Sequence, residues 1–396
     1  MIAAKMKKMV EGGSAIRAMF EEGLRMAERY GKENVFDFSL GNPNFPAPEK
    51  VREAAVSLLE NTPPVELHGY MPNAGYPAVR QAVADELDRR FGTAYAAGNI
   101  IMTVGAACAL NIMLKTLLDP GDEVVVFAPY FLEYGNYVAN YDGVLKIVPA
   151  DPAGGFQLSA EALERAVTER TKAVIINNPN NPTGVIYSET TLRAVAAVLE
   201  KKQEAYGRPI YIISDEPYRE LAYDGAEVPF IPTLYKNTIV CYSWSKSLSL
   251  PGERIGYAAI SPEAEDAGLI FDAAVVANRI LGFVNAPSLF QRVAAECLQE
   301  KADVSGYDGN RRLLYDGLTK CGFTCVYPQG AFYMWVKTPI DEKQFVETAK
   351  RFNILLVGGK SFACEGYVRL AYCVSPDMIR RSMPAFEKLA AACGLR

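Results

Sequence analysis

Imidazole is nearly absent from this 396-residue chain, which carries one histidine, His68. Ser-His-Asp triads, histidine-rich zinc sites and paired-histidine acid-base machinery all need more than that. Any general base is therefore expected to be a lysine, a carboxylate or a tyrosine, and His68 reads as a loop or interface residue. Zinc-type CxxC pairs are missing too. Of the eight cysteines only Cys321 and Cys325 are near neighbours; the pair reads as structural, no metal is expected, and this cysteine usage fits a reducing compartment. An excess of positive charge is also lacking, since 41 Lys and Arg face 46 Asp and Glu for a net charge of −5. That balance gives no broad footprint for nucleic acid and points to small-molecule partners. The longest uncharged run, Phe91 to Leu114, is long enough to span a membrane but is interrupted by Gly98, Asn99, Thr103, Gly105 and Asn111, and reads as a buried strand, a turn and a helix. The lysines of "MIAAKMKKMVEGG" precede no apolar stretch, which speaks against a signal peptide and for a cytoplasmic protein. No internal repeat or low-complexity tract is visible.

What is present is a folded, globular composition, half hydrophobic and 22% charged, with a length compatible with two or three domains. From about residue 50 to 280, helical periodicity ("PAVRQAVADELDRRFG", "ETTLRAVAAVLEKKQEAYG") alternates with short β-rich runs: "NIIMTVG", "DEVVVFAP", "KAVIINNP", "PIYIISDE", "NTIVCYS" and "RIGYAAI". Such alternation predicts α/β architecture with a largely parallel sheet. After about residue 283 the pattern changes to one long helix through "SLFQRVAAECLQEKADVSGYDGNRRLLYDGLTKC", then strands in "FTCVYP", "FYMWVK" and "YVRLAYC", and a last helix from about Pro376. The expected division is a large cofactor-binding domain over 45–282 and a smaller α+β domain from 1–44 and 283–396.

Ligands of an open parallel sheet gather at the carboxyl ends of its strands. Here those ends carry Gly105-Ala106-Ala107 opening a helix, "NPNNPTG", Asp215 with Tyr218, and Lys246 in "CYSWSKSLSLPGERIGY". A helix start offers free N–H groups to an anion. Lys246, among Trp244, Leu248 and Leu250, is suited to Schiff-base chemistry, because desolvation favours the neutral nucleophilic amine. An isolated lysine in a serine-rich loop is ordinarily a surface residue; its neighbours distinguish this one. Arg254, Ser243 and Ser245, with the amides after Gly105, can surround a phosphate. Asp215 needs a cation, which a protonated pyridine supplies, and Tyr218 or Asn181 can meet a ring oxygen. Phosphate, pyridinium, phenolate oxygen and aldehyde together describe pyridoxal 5'-phosphate.

With these residues the chain resembles the fold-type I, class I aminotransferases, the aspartate aminotransferase-like family, from about Asp37 to the last helix. "NNPNNPTG", "SDEPY" and "SWSKSLSLPGERIGY" carry the resemblance, supported by "YMPNAGYPAVR" and "YVRLAYC". It implies that Lys246 bonds the cofactor aldehyde and then serves as the base, that Asp215 keeps the pyridine nitrogen protonated, and that Tyr218 and Asn181 meet the ring hydroxyl. It assigns the phosphate to Arg254, Ser243, Ser245 and the backbone of Gly105, Ala106 and Ala107, the stacked aromatic to Phe131 rather than Tyr130, and the substrate α-carboxylate to Arg369 with Gly41 and Asn181. Tyr70 matches a tyrosine that reaches the neighbouring subunit's phosphate, so a homodimer is implied, with an L-amino acid and a 2-oxo acid as substrates. One departure is Ala106-Ala107-Cys108, where many members place a polar side chain; phosphate binding there falls to backbone amides.

Three rivals accompany this reading: C–S β-elimination on the same fold; a Ser243-x-x-Lys246 hydrolase, against which the preceding strand and Pro251 speak; and the cofactor-binding part of a regulator, whose basic N-terminal DNA-binding domain is not found. No second cation for an acidic substrate can be assigned, and Arg17 reads as a solvated helix residue.

Overall fold

The structure is a computed structural model that describes residues 2–12 and 15–395, without the side chains of residues 8, 11, 12 and 15–17. The side chain of Arg17 thus lies outside the described residues. A seven-stranded sheet runs through the middle of the chain in the order Ile100–Thr103, Gly256–Ile260, Thr238–Ser243, Tyr211–Asp215, Thr171–Asn177, Glu123–Phe127, Val144–Val148. All six strands expected from β-rich runs are present. The seventh, "VLKIV", is a half-exposed edge strand, and its mixed burial leaves no clean apolar pattern. Six strands point one way, and only Gly256–Ile260 runs antiparallel to its neighbours.

Strand side chains alternate between faces, and the packing follows that period. Val124, Val126, Ile213, Ile239 and Cys241 share a core with the helices Ala106–Leu117 and Ala267–Ile280. Val125, Val174, Ile176 and Ile212 instead pack on Leu163, Leu192 and Leu199 of the helices Ala160–Ala166 and Glu189–Tyr206. Burial on both faces is why these strands read as continuous Val- and Ile-rich runs.

A second, four-stranded antiparallel sheet takes the order Val357–Gly358, Tyr367–Ala371, Tyr333–Lys337, Thr324–Val326. The helices Val304–Lys320 and Pro376–Ala392 pack together over it. The short strand Phe36–Asp37 pairs in parallel with Ile354–Leu355, and the amide of Ala371 donates to the Phe38 carbonyl at 2.7 Å. This seam brings the segment through Gly41 alongside the strand that carries Arg369.

The long helix expected after residue 283 is two helices, Ser288–Glu296 and Val304–Lys320. Asp303 ends the break by accepting from the Gly306 amide at 3.0 Å as an N-cap, a local competitor that uniform helical periodicity conceals. Ser288–Glu296 packs against Glu49–Asn61 and Pro77–Phe91. Among the described residues no helix is long and apolar enough to cross a membrane.

Candidate active site

The sheet register assembles one edge of the site. Thr103, Gly256 and Ser243 are aligned across three adjacent strands, so the turn after Thr103, the loop before Gly256 and the loop after Ser243 meet at one sheet end. Gly105 starts the helix with φ at 87°, and a Cβ there would come within 2.7 Å of Arg254 Nη2. Glycine is required both for that backbone angle and for the approach of the guanidinium. Arg254 is exposed and donates to the carbonyls of Pro251 at 3.0 Å and Val104 at 3.3 Å. The hydroxyls of Ser243 and Ser245 lie 2.6 Å apart.

Contrary to the expectation from Pro251, a one-turn helix, Trp244–Ser247, starts directly after the strand. Ser243 Oγ caps it by accepting from the Ser245 amide at 3.1 Å, and Pro251 lies beyond its end. The turn aims Lys246 away from Ser243: Nζ donates to the Gly41 carbonyl at 2.7 Å. A serine nucleophile activated by this lysine is therefore not assembled. Gly41 is needed for that contact, since a Cβ there would collide with the Tyr333 hydroxyl.

A cavity of about 330 Å³ opens at the strand ends. Of the residues expected in the site, Gly41, Ala106, Ala107, Phe131, Asn181, Asp215, Tyr218, Lys246 and Arg369 line it. Gly105, Ser243, Ser245 and Arg254 flank it at the sheet edge just described. Tyr70 stands apart on the surface, 95% exposed. Of the adjacent pair, Phe131 lines the wall and Tyr130 does not; Tyr130 is buried and stacks on Tyr134 with ring centroids 6.4 Å apart.

Burial sets the electrostatics. Asp215 is pushed up to about 7 by desolvation, opposed by the hydrogen bond that Tyr134 Oη donates to its Oδ2. Its other oxygen, Oδ1, is buried with no hydrogen-bond partner. A buried carboxylate oxygen without a donor is costly, and a protonated ring nitrogen is a donor that fits it. Lys246 moves the opposite way, to about 8, with desolvation the leading cause and Arg254 and Arg369 adding repulsion. A lysine near 8 keeps a substantial neutral fraction close to neutral pH. Tyr218 is pushed well above its ordinary value by burial and then by Tyr333, whose hydroxyl is 2.8 Å from its own. Arg369, 2% exposed, donates to Asn181 Oδ1 at 3.0 Å and to the Ser39 carbonyl at 2.6 Å, and its guanidinium lies 4.6 Å over the Tyr333 ring. The amide of Asn181 is itself held by Asn177 Oδ1 at 2.7 Å, and Asn177 Nδ2 donates to the Asp215 carbonyl at 2.9 Å.

Tyr134, Tyr333, Asn177 and Glu133 were not among the residues singled out from sequence. Tyr134 lies in "PYFLEY", three residues after Phe131 and thus on the same side of a helical turn, which is a usable signal. Tyr333 sits in "FYMWVK", whose apolar character marks it only as strand. Among the described residues no group of three or more His, Cys, Asp or Glu is placed to hold a metal ion, and the eight cysteines are unpaired.

Comparison with known proteins gives this constellation a context. The family model for aminotransferase class I and II matches residues 33–386. The chain is 35% identical over 354 residues to a probable aspartate/prephenate aminotransferase of Thermus aquaticus, covering 88% of this chain and 89% of that protein. It is 33% identical over 376 residues to a probable N-acetyl-LL-diaminopimelate aminotransferase of Bacillus subtilis, covering 90% and 89%. A crystal structure of an amino transferase from Eubacterium rectale superposes with a TM-score of 0.96 at 46% identity, covering 99% and 98% of the two chains. With family, fold and strand-end chemistry in agreement, the chain belongs to the class I and II aminotransferases, enzymes that transfer an amino group from an amino acid to a 2-oxo acid.

Proposed function

We propose that the strand-end cavity holds pyridoxal 5'-phosphate and that this chain's transfer of an amino group from an L-amino acid to a 2-oxo acid takes place there. The observation that carries the reading is the buried, unpartnered Asp215 Oδ1, for which a ring N–H is the missing donor. Bound cofactor supplies a reactive aldehyde on an electron-withdrawing ring. Lys246 Nζ would hold the cofactor through its aldehyde and, as the desolvated amine of the cavity, would take the proton from the substrate α-carbon and return it. Asp215 keeps the ring nitrogen protonated, held in place from its other side by Tyr134. Tyr218 meets the ring oxygen; with Asn181 Oδ1 accepting from Arg369, the amide nitrogen of Asn181 is the donor left for it. Phe131 covers the ring. Gly105, Ala106 and Ala107 give backbone amides to the phosphate, and Arg254, Ser243 and Ser245 give charge and hydroxyls. Arg369 forks onto the substrate α-carboxylate beside Gly41.

The assembly we propose is a cytoplasmic homodimer in which Tyr70 reaches the partner's phosphate, in keeping with its exposure in the single chain. We assign 45–282 to the cofactor-binding domain and 1–44 with 283–396 to the smaller one. The test is a panel of amino acids with 2-oxoglutarate and pyruvate as acceptors. Stoichiometric exchange of amino group for oxo acid is the expected result; release of ammonia and pyruvate from a cysteine conjugate, without exchange, would replace the reading by C–S elimination.

A further inference from the structure

The cavity wall contains four charged side chains, Lys246, Arg369, Asp215 and Glu133. The first three already have roles in the proposed function, with partners in the chain that position them: the Gly41 carbonyl for Lys246, Asn181 and Ser39 for Arg369, and Tyr134 for Asp215 Oδ2. Glu133 is not used by the chemistry described above. It opens the helix Glu133–Asn140 at intermediate burial, and among the described residues its Oε2 accepts from the Asn136 side-chain amide at 2.9 Å while no hydrogen bond is made by Oε1. It acts on Tyr137, another wall residue, whose phenol is raised by burial first and by Glu133 next. The wall residues Leu40, Leu110 and Phe131 are apolar.

We propose that Glu133 sets the side-chain charge this enzyme accepts: an apolar stem with a cationic or hydrogen-bond-donating tip is favoured, and acidic side chains, on donor or acceptor, are disfavoured. This rests on the reading of the cavity as the substrate site. An acidic substrate carries two carboxylates. Arg369 meets the α-carboxylate, and the second then faces Glu133, with no cation of the described cavity wall left to neutralise it. A like charge across a water-poor cavity costs more than in bulk water. An ammonium on a lysine-length stem reverses the sign of that interaction while its methylenes lie along Leu40 and Leu110. A second copy of the chain can add groups to this wall without removing the carboxylate.

The test uses the cofactor-loaded protein and two readouts. In the single half-reaction followed by absorbance, lysine is expected to exceed glutamate by about tenfold or more in rate at low substrate, and Glu133→Gln to narrow that ratio by about tenfold. Without turnover, spectral titration with succinate and butyrate is expected to show succinate the weaker ligand, with Glu133→Gln shifting the ratio toward succinate. Should that variant fail to load cofactor, Glu133→Ser carries the same comparison. Tighter succinate than butyrate in the unaltered enzyme, or ratios insensitive to both substitutions, overturns the assignment of Glu133 and leaves the transamination reading standing. A spectrum that no amino acid or analogue perturbs overturns the substrate site itself, and this inference with it.

Discussion

The floor of the site and its phosphate-side rim are built on opposite principles. On the floor, Asp215, Tyr218 and Arg369 are each at most 6% exposed, burial displaces the ionisation of Asp215 and Tyr218, and among the described residues Asp215 Oδ1 is left without a donor. At the rim, Arg254 is solvent-exposed and turns its guanidinium onto the carbonyls of Val104 and Pro251, and Tyr70 is 95% exposed. The floor is preorganised before any ligand arrives, and its polar cost is tied up in groups a ligand can satisfy. The rim is a set of donors still engaged with backbone or solvent, which the proposed function gives to an anion. Substitutions on the floor should therefore alter chemistry, and substitutions at the rim should alter retention of cofactor.

The sharpest break comes from Lys246→Ala. With nucleophile and base removed together, turnover is expected to fall by roughly four orders of magnitude or more, with loss of the visible absorbance of lysine-bound cofactor. A variant that keeps both would collapse the division between floor and rim.

Next in size is Asp215→Asn, which keeps the shape and removes the charge. Losing a buried ionic partner worth about 3–5 kcal/mol slows proton removal by about 10²- to 10⁴-fold, measured in the half-reaction with an amino acid, while cofactor still binds. The same residue sharpens the comparison through stability. The folded carboxyl at about 7 lies above its unfolded value of 3.8, so the cofactor-free folded state binds the extra proton in that interval. Its contribution to stability is complete below pH 3.8 and is lost as pH rises to about 7. Melting curves of the cofactor-free protein should show this fall, and Asp215→Asn should remove it.

Arg369→Lys comes third. Lysine cannot reproduce a planar two-bond fork on a carboxylate, and losing a charged hydrogen bond of about 1.5–3 kcal/mol weakens substrate binding by about 10- to 100-fold for every α-amino acid tested, with the cofactor spectrum intact. A loss confined to one side-chain class would move Arg369 from carboxylate anchor to side-chain pocket.

Much of this floor is legible in the sequence because it lies on strand ends. Val- and Ile-rich runs locate the strands, and the residue just past each run, as with Asp215 after "IYIIS", inherits its position from the sheet rule. The pairing of Lys246 with the Gly41 carbonyl is not legible: it joins residues 205 apart across the seam between two sheets, and register between sheets has no local signature. Tyr333 is not legible for the same reason, being an ordinary strand aromatic until the fold sets it against Tyr218, whereas the spacing of Tyr134 from Phe131 gives its side of the turn but not its partner Asp215. The helix break at Asp303 and the turn after Ser243 show capping side chains overruling periodicity and a downstream proline.

The smallest effect belongs to the rim. Tyr70→Phe is expected to leave the rate with saturating cofactor nearly unchanged and to weaken cofactor retention by about tenfold or less, the worth of one hydrogen bond, measured by dialysis and recovery of absorbance. Sedimentation should give a dimer as the smallest active species; a fully active monomer would remove Tyr70 from the site.

The central claim is that the desolvated lysine on the floor is the group joined to the cofactor. Reducing the loaded protein with borohydride and mapping the modified peptide tests it most directly. A single stable adduct on Lys246 is expected, with the label lost in Lys246→Ala; an adduct on any other lysine, with Lys246 unmodified, would contradict the assignment.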